Sequence, residues 1–358
     1  ETRALRALCA PSDAVLSATS SSSNAPLAVL YTSGSSGAPK GAVLSRRAFA
    51  ASAAASERAL GLTERDRWLL ALPVCHIGGL SVLTRCLAAR CPVLLHARFD
   101  ADRVLESIVC DGATVLSVVP TMLHALLERD ARNALARSRV VLIGGAGCPR
   151  ALLEECARRG VPARTTYGLT EACSQATVQR ASASSVAAVR DDSGEALDGV
   201  SLRIVRTDGE PCAPGEEGSI QLAGPTLFDG YLHHEPRDPR VHFDTGDLGF
   251  LDENGALTVL ARRTDLVVTG GENVYPAQVE RALEGLPGVA RALVFGQPDE
   301  RWGQRVCAVL VTREGFLGEE ATARALRERL AGFACPRSYA LAREEEIPTL
   351  ASGKGHRR

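Results

Sequence analysis

The strongest constraint on the fold is a rhythm. Short β-branched or leucine-rich runs, "LAVLY", "RWLLAL", "CPVLLH", "TVLSVV" and "RVVLIG", alternate with the helical stretches "SRRAFAASAAASERAL", "LSVLTRCLAAR", "ADRVLESIV" and "TMLHALLERD". This βαβα order predicts an α/β domain around a largely parallel sheet. Residues 181–199, rich in Ser, Ala, Asp and Gly, read as a surface loop. Beyond them "SLRIV", "GSIQLAG" and "GALTVLARR", joined by turns such as "TDGE" and "DENG", predict a small antiparallel β subdomain over about 198–262. Residues 1–262 are thus expected to form one large domain. From 263 to 358, "PAQVERALEGL", "VARALVFG", "RVCAVLVT", "EEATARALRERLAG" and "RSYALA" predict a small separate α+β domain.

Composition narrows the function classes. With 358 residues the chain can bury a large core, and a net charge of −1 offers no field for nucleic acid or an anionic membrane. Neither is expected as a partner. The 11 cysteines form no CxxC pair, which suits reduced thiols in a cytoplasmic protein; Cys75, Cys86, Cys110 and Cys307 lie in apolar runs and read as core residues. No apolar stretch is long enough to span a bilayer, and the N-terminus lacks the layout of a signal peptide.

Lysine occurs only twice among 41 basic residues, as Lys40 in "YTSGSSGAPKG" and Lys354 in "ASGKGHRR". Both sit in Gly/Ser-rich loops, which suggests sites that need a compact ammonium point charge a planar guanidinium cannot replace. The first loop, between a predicted strand and a predicted helix, offers the hydroxyls of Thr32, Ser33, Ser35 and Ser36 with Gly34, Gly37 and Lys40, a set suited to phosphate oxygens. It is not a Walker A loop, because Pro39 and Gly41 flank the lysine. Three more loops are expected at strand ends, where open α/β sheets bind ligands. "GGAG" (144–147) lets a flat ring approach the backbone. "TYGLTE" (166–171) supplies the Tyr167 ring, the Thr170 hydroxyl and the Glu171 carboxylate, fit for a base and for Mg²⁺. "DTGDLG" (244–249) puts Asp247 in a tight turn, where its carboxylate accepts ribose hydroxyls.

In this order the motifs resemble those of the adenylate-forming enzymes, a family that takes in acyl- and aryl-CoA synthetases and carrier-protein-loading adenylation domains. "YTSGSSGAPKG" is similar to their phosphate loop, "YGLTE" to their adenine and magnesium motif, "TGD" to their ribose carboxylate, "ARRTDLVVTGGENVYPAQVE" to their hinge and following loop, and "PTLASGK" to their C-terminal lysine motif. The resemblance implies that ATP is bound by the phosphate loop with Gly145, Ala146, Tyr167, Gly168, Asp247 and Arg262. It implies Mg²⁺ on Glu171, catalysis by Lys354 with Thr170 and Glu171, a hinge at Thr264, and Gly270 and Gly271 on the coenzyme A side. Two departures stand out. Ala261 replaces a usual Gly, and only 30 residues precede the phosphate loop where most members carry a much larger portion, so either a compact version or a shortened large domain is expected.

"CHIGGLSVL" (75–83), "TYGLTEACSQ" (166–175) and "RRTDLVVTGGENVYP" most resemble the branch of the family that acts on o-succinylbenzoate in menaquinone biosynthesis. His76, Gly78, Gly144 and Ser174 would then line the acyl pocket, with Ser81, Arg85 and Gln175 as further donors. The implied reaction is ATP-dependent acyl-adenylate formation followed by transfer to coenzyme A. Another aryl- or acyl-CoA ligase, a carrier-protein-loading enzyme and a non-catalytic nucleotide-binding relative stay open, as does a homodimer.

Overall fold

The computed structural model describes residues 23–32, 40–262, 265–269, 272–299 and 302–347, without the side chains of Arg262 and Asn273. The first elements are β1 (Pro26–Thr32), β2 (Lys40–Ser45) and α1 (Arg46–Leu60). Then β3 (Trp68–Leu70), α2 (Ile77–Ala89), β4 (Val93–Leu95), α3 (Ala101–Cys110), β5 (Val115–Val118), α4 (Pro120–Arg129), β6 (Val140–Ile143), α5 (Arg150–Arg159) and β7 (Ala163–Leu169) alternate, followed by β8 (Ser174–Val178) and β9 (Glu195–Ala196).

The sheet order is β4-β3-β5-β6-β7-β8-β9, parallel from β4 to β7 and antiparallel beyond. Strand alternation splits its side chains between two cores. Trp68, Leu70, Val115, Val140 and Leu142 pack with Val82 and Cys86 of α2 and Ala55 and Leu60 of α1. Leu69, Leu116, Val118, Val141 and Ile143 pack with α3, α4 and α5 on the other face. The expected α/β layering is therefore present.

"LAVLY" is not part of it. β1 pairs only with β2, antiparallel, because a short connection reverses the chain where a parallel partner needs a crossover. The inward Leu30, Ala42 and Leu44 anchor this hairpin on Phe49 and Phe228. Within 181–199 the expected surface loop also contains β9, which pairs with β8.

The antiparallel subdomain has four strands, β10 (Ser201–Val205), β11 (Gly218–Ala223), β12 (Phe243–Leu251) and β13 (Leu257–Arg262), one more than the sequence indicates. The added β12 contains "DTGDLG", so Asp247 stands in a strand rather than in a tight turn. The turn chemistry survives as a bulge. Ser219 pairs with Leu248 and Gln221 with Asp244, while Gly246 adopts φ 76° and the Asp244 side chain accepts from its N–H at 2.9 Å.

Further on, β14 (Val267–Thr269) and β15 (Glu272–Val274) form a hairpin where a loop was expected. α6 (Pro276–Glu284), β16 (Val289–Asp299), β17 (Gly303–Thr312), α7 (Glu319–Arg327) and β18 (Ser338–Ala342) match the predicted helices and strands. Val279, Leu283 and Leu326 from the helices pack on Val294, Val306, Ala308 and Leu310, a core of their own. The ten described cysteines are free thiols; Cys86 and Cys307 are buried as expected, whereas Cys75, in the turn before α2, and Cys110, the last residue of α3, are exposed. Among the described residues no helix is long and apolar enough to cross a membrane.

Candidate active site

The carboxyl ends of β6 and β7 come together with the hairpin and the antiparallel sheet. Gly144 leaves β6 and donates its N–H to Val118 O, and a side chain there would meet Thr166 of β7 at 2.9 Å. Gly145 follows at φ 79°, where a side chain would meet Val119 at 3.3 Å. On that strand the Tyr167 hydroxyl donates to Asp247 Oδ2 at 2.7 Å, joining two separate sheets; both residues are buried. The Tyr167 ring belongs to the apolar core, so its hydroxyl sets the orientation of Asp247. Across the β12–β13 ladder Asp247 faces Arg262 directly.

After β7 a single 3₁₀ turn, Thr170–Ala172, carries Glu171 into the interior, 9% exposed. The turn is tight because Gly168 lies under β8: a Cβ there would stand 1.7 Å from Ser174 O. Glu171 Oε1 accepts from the Tyr231 hydroxyl at 2.8 Å, and its carbonyl accepts from Phe228 N–H. The ammonium of Lys40, at the start of β2, stands 5.5 Å from the centre of the Tyr231 ring. Thr32 is paired with Lys40 in the hairpin and donates to its carbonyl at 3.4 Å. Lys40 and Glu171, 131 positions apart in sequence, thus meet through Tyr231.

Sequence reasoning did not find Tyr231. It lies in "FDGYLHHEP", a stretch without periodicity, and is placed by a bridge to Ala42 of the hairpin and by edge contact with Phe228. Among the described residues no group of three or more His, Cys, Asp and Glu side chains forms a metal cage. A single carboxylate with one oxygen held by a phenol suits Mg²⁺, which takes one or two carboxylates and completes its shell with phosphate and water.

A second polar group surrounds Ser174. Its hydroxyl accepts from Ser81 Oγ at 3.2 Å, and Ser81 also donates to Gly78 O, both on α2. Gln175 is buried between Ser56 and the Thr166 hydroxyl. Gly78, Ser81 and Arg85 share one helical face. Arg85 is 2% exposed, its guanidinium 5.8 Å from the centre of the Trp68 ring. Nε and Nη2 are buried with no hydrogen-bond partner among the described residues. Burial pushes its pKa down to about 10, so it remains a cation at pH 7. The neighbouring Cys173 thiol is pushed up to about 12 by burial and supplies no counter-charge. His76, the N-cap residue of α2, is exposed.

Ser33, Gly34, Ser35, Ser36, Gly37, Thr264, Gly270, Gly271 and Lys354 lie outside the described residues, as does the Arg262 side chain.

Comparison with known proteins identifies the family. The model of the AMP-binding enzyme family matches residues 5–232, and that of the AMP-binding enzyme C-terminal domain matches residues 278–354. The 2-succinylbenzoate–CoA ligase of Bacillus velezensis is 42% identical over 330 residues, covering 91% of this chain and 66% of that protein. The chain thus spans about two thirds of the length of this relative. The o-succinylbenzoate CoA synthetase of Bacillus subtilis, in complex with its acyl-adenylate intermediate, superposes with a TM-score of 0.85 at 38% identity, covering 93% of this chain and 68% of that one. With ATP and magnesium ion its TM-score is 0.84, at 38% identity and covering 93% and 69%. A double mutant of the same enzyme bound to a product analogue, OSB-NCoA, reaches only 0.63 at 37% identity, covering 94% and 69%. At nearly constant identity and coverage, the acyl-adenylate and ATP complexes thus superpose on this chain more closely than the product-analogue complex does. Motif order, fold and site thus lead to one assignment: the chain belongs to the AMP-binding enzyme family.

Proposed function

We propose that the chain activates o-succinylbenzoate with ATP and transfers the acyl group to coenzyme A, giving o-succinylbenzoyl-CoA for menaquinone biosynthesis. Arg85 carries the choice of acid. A buried guanidinium without a carboxylate partner is costly, and o-succinylbenzoate brings a second, aromatic carboxylate that is not activated. Ser81 and Ser174 add hydroxyls on the same side of α2. His76, Gly78 and Gly144 complete the acyl pocket in this reading.

In the first half-reaction the aliphatic carboxylate oxygen attacks the α-phosphorus of ATP, and the bond to pyrophosphate breaks. Lys40 and the 33–37 hydroxyls hold the departing phosphates, and Asp247 with Arg262 holds the ribose. Lys354 stabilises the negative charge developing at the α-phosphate, and Glu171, fixed by Tyr231, serves as the carboxylate for Mg²⁺. Mg²⁺, held by Glu171, neutralises phosphate charge when bound. In the second half-reaction the coenzyme A sulfur attacks the acyl carbon, AMP leaves and the thiol proton passes to solvent. For that step residues 263–358 turn about Thr264 as one mobile unit, bringing Gly270 and Gly271 toward the thiol. The separate core of α6, α7 and their sheet supports such a unit.

Pyrophosphate release and thioester formation with o-succinylbenzoate, benzoate, anthranilate and octanoate test the reading. A kcat/KM for o-succinylbenzoate higher by orders of magnitude is expected. Preference for a monocarboxylic acid would move the assignment to another aryl- or acyl-CoA ligase, and pyrophosphate release without thioester formation to a carrier-protein-loading enzyme. Lys354→Ala should lose at least ~100-fold in adenylation while thioester formation from supplied acyl-adenylate persists. Sedimentation velocity distinguishes one copy from a homodimer.

A further inference from the structure

Tyr275 immediately precedes α6, and its hydroxyl donates to Glu217 Oε2 at 2.6 Å. Glu217 is exposed at the foot of β11, in the antiparallel sheet, whereas Tyr275 is 8% exposed. The bond therefore crosses from one side of residues 263–264 to the other. Neither residue touches Asp247, Glu171 or Arg85 by any contact described above. Burial, and then the Glu217 carboxylate, push the Tyr275 phenol above its ordinary range, so it stays a donor throughout the physiological pH range. A short phenol–carboxylate bond is directional and charge-assisted, and rigid-body rotation of either partner by a few ångströms breaks it. It is formed here in a structure that superposes better on the acyl-adenylate and ATP complexes of the Bacillus subtilis relative, with TM-scores of 0.85 and 0.84, than on its product-analogue complex, with 0.63.

We propose that Tyr275 and Glu217 form a latch that holds the C-terminal unit in the adenylating orientation, which makes Tyr275 a positioning residue for the first half-reaction. The inference rests on the two-step reading above. A contact present in one of two orientations shifts their balance by its own free energy and by no more. Its loss lowers the population competent for adenylation and eases the turn toward the thiol-accepting orientation. A contact that merely supported the fold would affect both half-reactions alike.

The test measures the two half-reactions separately in Tyr275→Phe, Glu217→Gln and the double variant. Adenylation is expected to slow about 5-fold in each, with thioester formation from supplied acyl-adenylate unchanged or faster, and the double variant no worse than either single one. Because Glu217 is exposed, its substitution keeps the test alive should Tyr275→Phe fold poorly. Equal loss in both half-reactions, no loss in either, or additive effects would overturn the latch. Solution X-ray scattering with ATP and magnesium alone reads the orientation without an acid substrate. The wild type should fit the present arrangement and both variants should depart from it; identical curves would sink the latch. A wild type that releases no pyrophosphate with o-succinylbenzoate counts against the substrate reading instead, since the scattering arm does not depend on the acid.

Discussion

Two charges lie buried near β3, and the protein treats them in opposite ways. Asp66, two residues before Trp68, is 3% exposed and has every oxygen engaged: Arg139 donates to both at 2.8 and 2.9 Å, Thr114 Oγ1 to one, and Thr63 N–H and Oγ1 to the other. Burial alone would push its carboxyl up, but the hydrogen bonds from Arg139, Thr63 and Thr114 outweigh that and hold it below the usual range. Arg85, over the face of the same Trp68, has two nitrogens without a protein partner among the described residues. A closed network is a structural joint. The open one fits the proposed acid site, where a second carboxylate would supply the missing partner.

Replacing the open charge should separate binding from stability most sharply. Arg85→Met is expected to lower kcat/KM for o-succinylbenzoate by at least ~100-fold while raising the melting temperature, because it removes a buried charge that the empty protein leaves unpaired. A lower melting temperature with normal kinetics would make Arg85 a second structural joint. Asp66→Asn should do the reverse, losing about 2 kcal/mol through the Arg139 contacts, read as a lower denaturant midpoint with kcat/KM nearly intact.

The last effect concerns a third way to bury charge. Glu284 of α6 accepts from Ala292 N–H at 3.1 Å, and burial, with Glu280 nearby, pushes its pKa up to about 7 despite that bond. Its folded value thus lies above the ordinary 4.5. The protonated form is favoured in the native state, so its contribution to stability is full below pH 4.5 and is lost as pH rises through about 7. Denaturation followed from pH 5 to 8 should show this decline, by at most about 1.4 kcal/mol per pH unit, and Glu284→Gln should flatten it.

The parallel strands were legible because both of their faces are buried, which demands unbroken runs such as "TVLSVV" and "RVVLIG". The strands that carry the site were not. β7, β8 and β12 are written in Thr, Ser, Gly and Asp, the residues that also write loops, since each must offer hydroxyls and carboxylates along one edge. The same bias made a turn of the Asp247 segment, whose bulge keeps turn geometry inside a strand. Lys40, Glu171 and Asp247 could be named from motif order, whereas Tyr231 and Glu217 had no pattern around them. Their partners come from distant chain positions, and only tertiary structure brings them within reach. Arg85 was visible as a donor, but its isolation could be known only from what surrounds it in space.

The Tyr167–Asp247 hydrogen bond also has a consequence for how the large unit comes apart. Val178 of one sheet and Ile220 and Leu222 of the other belong to one apolar cluster with Tyr167, so the proposed nucleotide pocket would be built on the weld between two sheets. Local opening there cannot expose one sheet and spare the other. Amide exchange in β7 and β12 should therefore slow in concert when nucleotide binds, and a graft of either sheet alone would carry no half-site.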